Sequence, residues 1–200
     1  MIKYRIVKFF TERDIMKLLK ALLLFCLIFA CASGALCEGT VDEALTVEQE
    51  LELYKGNRDI IYLFLTEELK LNHAAACGVI ANIHVESRFN PEALGDFGTS
   101  YGICQWHNKR YTRLIEWSEE NGYDYTELST QLWFMKYELE NKYAFVYERL
   151  KNTSDTPRGA YSVGNYWCIY YEKPKNKYVN GEARGELARM RYYNLLPEEE

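Results

Sequence analysis

The chain has 200 residues, 48% of them hydrophobic and 26% charged, with a formal net charge of −5, an ordinary composition for one globular domain. From Leu36 onward, 18 Lys and Arg stand against 27 Asp and Glu, a net charge of −9. Binding phosphates needs a basic face, so nucleic acid is excluded as the expected partner; a neutral, hydroxyl-rich substrate suits this balance, as does solubility alone.

Residues 1–37 read as an export segment. Lys17 and Lys20 form a positive flank, residues 21–37 carry no charge, and small residues suit cleavage after Ala35. Met16 is an alternative start, and Cys31 a weak lipidation site. The uncharged stretch, 17 residues long, lies at the lower limit for spanning a bilayer, so an uncleaved anchor is the alternative. Either way the lysines stay cytoplasmic and the rest lies outside the cytoplasm. Membrane contact is then confined to this segment.

Residues 38–56 read as a linker with a short helix, opened by a capping box at Thr46–Gln49 and interrupted at Gly56–Asn57. Asn57 can cap a second helix in which Ile61, Leu65 and Leu69 recur every four residues. Asn72 can cap a third, where Val79, Ile83 and Glu86 share one face. Pro91 forces that helix to end near Ser87–Phe89. Residues 95–106 hold glycine turns and a short aromatic piece, at most a small β-hairpin. A helix with Leu114 and Trp117 inward stops at Gly122. The longest predicted helix covers residues 129–152, striped by Leu128, Leu132, Met135 and Leu139, with Ser129 as a possible cap. Asp155 as N-cap and Pro157 in the first turn open a helix lined by Ala160, Val163, Trp167 and Tyr171 and closed by Pro174. A last helix covers roughly residues 181–195, before the acidic tail 196–200. The fold class is therefore mainly α: a compact helical domain over 57–195, large enough for one core.

Glu86 is the residue that does not fit. It prolongs an apolar face and stands at the helix C-terminus, the unfavourable end of the dipole for an anion. Both effects favour the protonated form. A carboxylic acid near neutral pH is what proton donation to a glycosidic oxygen requires. The bland alternative is a solvated carboxylate at a frayed helix end.

The stretch from Gly78 to Ala93, containing Glu86-Ser87-x-Phe89-Asn90-Pro91, is followed by Ser100-Tyr101-Gly102-x-x-Gln105-Trp106. Together they resemble the phage tail lysozyme family, a branch of the lysozyme-like fold shared with lytic transglycosylases and goose-type lysozymes. Residues 160–174 and 184–194 resemble the family's end. The resemblance implies a lysozyme-like fold and activity on peptidoglycan glycan strands, with Glu86 as catalytic acid. It also implies that Tyr101, Gln105 and Trp106 line the saccharide groove, while Ser100 and Gly102 shape the turn. Cys104 within the motif and Arg88 depart from the family pattern without touching the acid.

Asp96 is the candidate second carboxylate; its other reading is a turn-forming Asp. Glu172 is a more distant candidate, able merely to pair with an arginine. An Asp96 across the cleft implies inversion, with the carboxyl groups roughly 6.5–9.5 Å apart; without one, a single Glu used twice, as in lytic transglycosylases, is the alternative. Trp133, Phe134, Phe145 and Trp167 read as core. Cys104 and His107 raise the alternative of a thiol enzyme, with nothing to orient the imidazole. Cys77, Cys104 and Cys168 are an odd number outside the export segment. With His73, His84 and His107 they make no zinc spacing. No metal or cofactor is expected, and the domain is expected to be a monomer. A catalytically inactive wall-binding module is the non-enzymatic alternative.

Overall fold

The structure, a computed structural model, describes residues 47–194; the expected export segment and the acidic tail lie outside them. Seven helices and one small sheet make up this part. Helix α1 runs Val47–Leu63 and widens into a π turn at Phe64–Glu68. It passes through Gly56 without the predicted break, because a single glycine weakens a helix by only about 1 kcal/mol and the turns on either side carry it. Asn57 does not cap: its Nδ2 donates to the Phe89 carbonyl at 3.0 Å. The expected stripe is real, with Ile61, Leu65 and Leu69 fully buried.

Helix α2 (His73–Ser87) is the centre of the fold. Asn72 caps it as expected, its side chain accepting from the Ala75 amide at 2.9 Å. Asp155 does not cap its own helix; it accepts from the Ala74 amide at 2.8 Å, satisfying a second orphan donor of α2. Ala74, Ala75, Ala76, Val79, Ile80 and Ile83 are all fully buried, so α2 is enclosed as far as Ile83, and its last turn emerges with Val85 exposed. It stops where expected, with Arg88 in left-handed geometry (φ 53°) ahead of Pro91.

A three-stranded antiparallel sheet follows, in order β1 (Leu94–Gly95), β2 (Ser100–Tyr101), β3 (Trp106–His107). Tyr101 is paired with both Leu94 and Trp106. Gln131, fully buried, fastens this hairpin region to the helices. Its Oε1 accepts from the Ile103 amide at 2.9 Å, and its Nε2 donates to the Pro91 and Tyr125 carbonyls at 2.7 and 2.9 Å.

Helix α3 (Lys109–Asn121) ends at Gly122 in left-handed geometry, as predicted. The long helix expected next is two: α4 (Leu128–Glu140) and α5 (Ala144–Lys151). The chain turns at Asn141, whose Nδ2 donates to the Tyr137 carbonyl at 2.7 Å, and Tyr143 is buried in the bend. Leu132, Met135 and Leu139 are buried as expected, whereas Phe145 is 52% exposed. Ser129 is no cap, since α4 begins one residue earlier.

Helix α6 (Pro157–Trp167) is capped by Thr156, which accepts from the Gly159 amide at 3.0 Å, and continues as a π turn at Cys168–Glu172. Helix α7 (Lys177–Leu187) continues as a π turn at Ala188–Tyr192. Helices α2, α6 and α7 pack backbone to backbone. A Cβ at Gly78 would lie 2.8 Å from the Gly164 amide nitrogen and closer still to Val163. A Cβ at Gly164 would lie 2.7 Å from the Arg184 carbonyl. These glycines permit the approach that brings the ends of α2, α6 and α7 together.

Candidate active site

Glu86 lies in the last turn of α2, its side chain 21% exposed, so it reaches the surface from a buried helix. Two side chains meet it there. Arg184 of α7 donates from a terminal guanidinium nitrogen to Oε1 at 3.0 Å, and its own side chain is only 13% exposed. The second is Glu172, from the π turn after α6, whose buried carboxyl group interacts with that of Glu86. A π turn closes five residues instead of four. Here it sets Glu172 over Trp167, five residues back, and the Trp167 Nε1–H donates to Glu172 Oε1 at 3.0 Å. Glu172 Oε2 is shut off from solvent and no donor reaches it.

The carboxyl group that the fold holds in its protonated form is Glu172. Burial, then the neighbouring Glu86 carboxyl, push Glu172 well above the usual carboxylate range, against the opposing pull of Arg184. Glu172 is thus a neutral carboxylic acid beside an ion pair. Glu86 itself is not packed against apolar groups alone, because Arg184 supplies a cationic partner that sequence spacing did not reveal.

The other expected site residues lie in the hairpin region. Asp96 is 71% exposed; its Oδ2 accepts from Ser100 Oγ at 2.7 Å and stands 3.6 Å from His107 Nδ1. His107 Nδ1 meets Ser100 Oγ at 2.9 Å, and Asn108 Nδ2 lies 2.6 Å from Nε2. With Asn108 donating to Nε2, the proton falls on Nδ1 and the chain His107–Ser100–Asp96 is fully satisfied. Asp96 and Phe97 both take positive φ (48° and 56°), and Phe97 projects fully into solvent. Gln105 does not reach outward with its amide: Nε2 donates to the Ala93 and Gly102 carbonyls at 2.9 and 3.1 Å. Tyr101 is 6% exposed and stacked on Tyr111 at 4.9 Å between centroids.

Trp106 contradicts the expected groove position. It is fully buried, and its Nε1 donates to Glu138 Oε2 at 2.8 Å. A ring with no exposed face cannot carry a sugar. Glu138, 5% exposed, also accepts from Tyr171 Oη at 2.7 Å and from Arg110 through Nε at 2.9 Å and Nη2 at 2.6 Å. Arg110 further donates to the Tyr171 carbonyl at 3.0 Å. This network ties the sheet, α3, α4 and the turn carrying Glu172 into one unit. Sequence reading missed it, because Glu138 and Arg110 look like ordinary surface charges. Glu172 did leave a signal: like Glu86, it ends an apolar stripe just ahead of a proline.

Cys104 is 2% exposed, and burial pushes its thiol well above the ordinary range. His107 is committed to Ser100 and Asn108, so the pair is not an activated thiol. Cys77, Cys104 and Cys168 are all free among the described residues.

A sequence model of the phage tail lysozyme family matches residues 56–196. The chain belongs to that family. A curated relative, morphogenesis protein 1 of Bacillus phage B103, is 26% identical over 129 residues, covering 60% of this chain and 34% of the relative. The chain thus spans about a third of that relative's length. In this phage tail lysozyme domain, the helix that carries Glu86 and the hairpin region that follows fall within the matched segment, as do Glu172 and Arg184. The domain is lysozyme-like in fold: mainly helical, with one small sheet.

Proposed function

We propose that the domain is a peptidoglycan glycosidase that acts outside the cytoplasm, cutting the β-1,4 bond between N-acetylmuramic acid and N-acetylglucosamine. Glu86 delivers a proton to the bridging oxygen. The observation that carries this reading is the Glu86–Glu172–Arg184 cluster, a surface-reaching carboxyl bonded to a guanidinium beside a second, buried carboxyl group. After proton transfer, Glu86 is left as a carboxylate. Arg184 at 3.0 Å is placed to stabilise that product, and electrostatic groups already in position need no reorganisation as charge develops. The same carboxylate can then take a proton from the attacking nucleophile.

Asp96 is the proposed second carboxylate, helping to place water against the positive charge that grows on the sugar ring. Ser100, Tyr101 and Gln105 shape the hairpin that carries it, through backbone and ring contacts. One observation favours a second reading. Asp96 Oδ2 is already engaged by Ser100 and close to His107. If Asp96 serves only the turn, the sugar's own hydroxyl attacks and Glu86 acts twice, giving an anhydro product.

The test is Glu86→Gln, which keeps shape and removes the proton. Expected is a loss of glycan cleavage by roughly 100-fold or more, the usual contribution of a positioned acid. Mass spectrometry of digested peptidoglycan reads both the bond cut and the product, reducing or anhydro. Cleavage at the parent's rate sinks the assignment of Glu86.

A further inference from the structure

The Glu172 carboxyl is enclosed by groups from each element around it. Trp167, on its own helix, donates to Oε1. Glu86 meets it from α2, and Arg184 from α7. Cys168 lies on the same turn and feels Glu172, Arg184 and Glu86 together. In the hairpin region the buried Cys104 thiol feels Glu172, Arg110, Glu138 and Glu86. Two atoms of the cluster, Glu172 Oε2 and Arg184 Nε, are buried without a hydrogen-bond partner. With Oε1 accepting from Trp167, Oε2 is the oxygen left to carry hydrogen. Two neighbouring carboxyl groups, one of them buried, do not both ionise without a large penalty, which favours a proton on Glu172.

Resting on the glycosidase reading above, we propose that Glu172 is a positioning residue that stores the proton Glu86 delivers, passing it from one carboxyl group to the other. The Glu172 Oε2–H bond breaks as an O–H bond forms on Glu86, and the proton goes on to the bridging oxygen. The sugar C–O bond breaks, with its electron pair staying on that oxygen. The cluster now has two carboxylates facing one guanidinium, while positive charge sits on the sugar ring. Arg184, which acts on both carboxyl groups, and the Trp167 N–H hold that state. The attacking water, or the sugar hydroxyl, then gives its proton to Glu86, and Glu172 takes it back. The cluster ends as it began.

The experiment compares wild type, Glu86→Gln and Glu172→Gln on purified peptidoglycan, following kcat, KM and muropeptide products from acidic to neutral pH. Glu172→Gln stays neutral and keeps an N–H to donate to Glu86, so a purely structural role survives it. Expected is a fall in kcat on the order of 100-fold with KM within about twofold, and a changed pH profile. A wild-type kcat and pH profile for Glu172→Gln, with Glu86→Gln inactive, overturns the proposal and leaves the glycosidase reading standing. Full activity of Glu86→Gln overturns both. A second measurement needs no variant: carboxyl-selective NMR of wild-type protein with isotope-labelled glutamate. One side-chain carboxyl in the protonated form at neutral pH is the expected result; a spectrum in which every glutamate is ionised overturns the proposal.

Discussion

Replacing Glu138 by alanine removes the acceptor shared by Arg110, Trp106 and Tyr171, which approach it at 2.6–2.9 Å. The Arg110 side chain is 17% exposed and keeps only the Tyr171 carbonyl as an acceptor, beside the Tyr143 and Tyr171 rings. Its guanidinium is left largely out of water without a counter-charge, and Trp106 Nε1 and Tyr171 Oη lose their acceptor. Breaking a buried ion pair from one side costs about 3–5 kcal/mol. For a domain of about 150 residues, at roughly 3 °C per kcal/mol, the thermal midpoint falls by ~10 °C. Urea unfolding followed by tryptophan fluorescence measures the loss, since Trp106 and Trp167 are fully buried. Arg110→Met added to Glu138→Met removes the stranded charge and should recover about half of the loss. A single-variant loss under about 1 kcal/mol, or a double variant less stable than Glu138→Ala, refutes the reasoning.

Gly78→Ala places a methyl group against the Gly164 backbone and Val163. Overpacking of this kind costs about 1–3 kcal/mol, and because it parts α2 from α6 it should lower glycan cleavage as well as the unfolding midpoint. His84 bonds to Tyr192 Oη and stacks on Phe89; burial, then Arg191, Arg88 and Arg184, lower its pKa below the ordinary value. A lowered folded value favours the neutral ring, so this contribution to stability is complete above the ordinary histidine pKa. It is lost as pH falls from there through the lowered value. Urea midpoints should drop across that window in wild type and drop less in His84→Gln; equal slopes exclude the effect. Cys104→Ala should leave cleavage unchanged and cost stability only, while a thiol reagent should label Cys104 in the unfolded chain and not in the native one. Cleavage abolished in a folded Cys104→Ala domain contradicts the glycosidase reading.

Local chemistry made much of the fold legible in the sequence. The Asn72 cap, the stop before Pro91, the Gly122 terminus and the stripes at Ile61, Leu65, Leu69 and at Val163, Trp167, Tyr171 depend on residues within a few positions of one another. Glu86 stood out for the same reason, as a carboxylate extending a buried face. Tertiary structure decided what these residues touch. Gly56 failed to break α1 because one glycine costs a helix little, and the long helix divided at Asn141 because Tyr143 is drawn into the core. Trp106 looked like a sugar platform in a loop and proved to be a buried donor to Glu138. Arg184 is 98 positions from Glu86, and Glu172 reaches it only because a π turn and glycine-lined helix crossings set those ends side by side. Electrostatic environment belongs to neighbours in space, which a linear pattern does not encode. The sequence by itself singled out Glu86 as a carboxyl group extending a buried face, and only the folded chain decided that Arg184 stands against it.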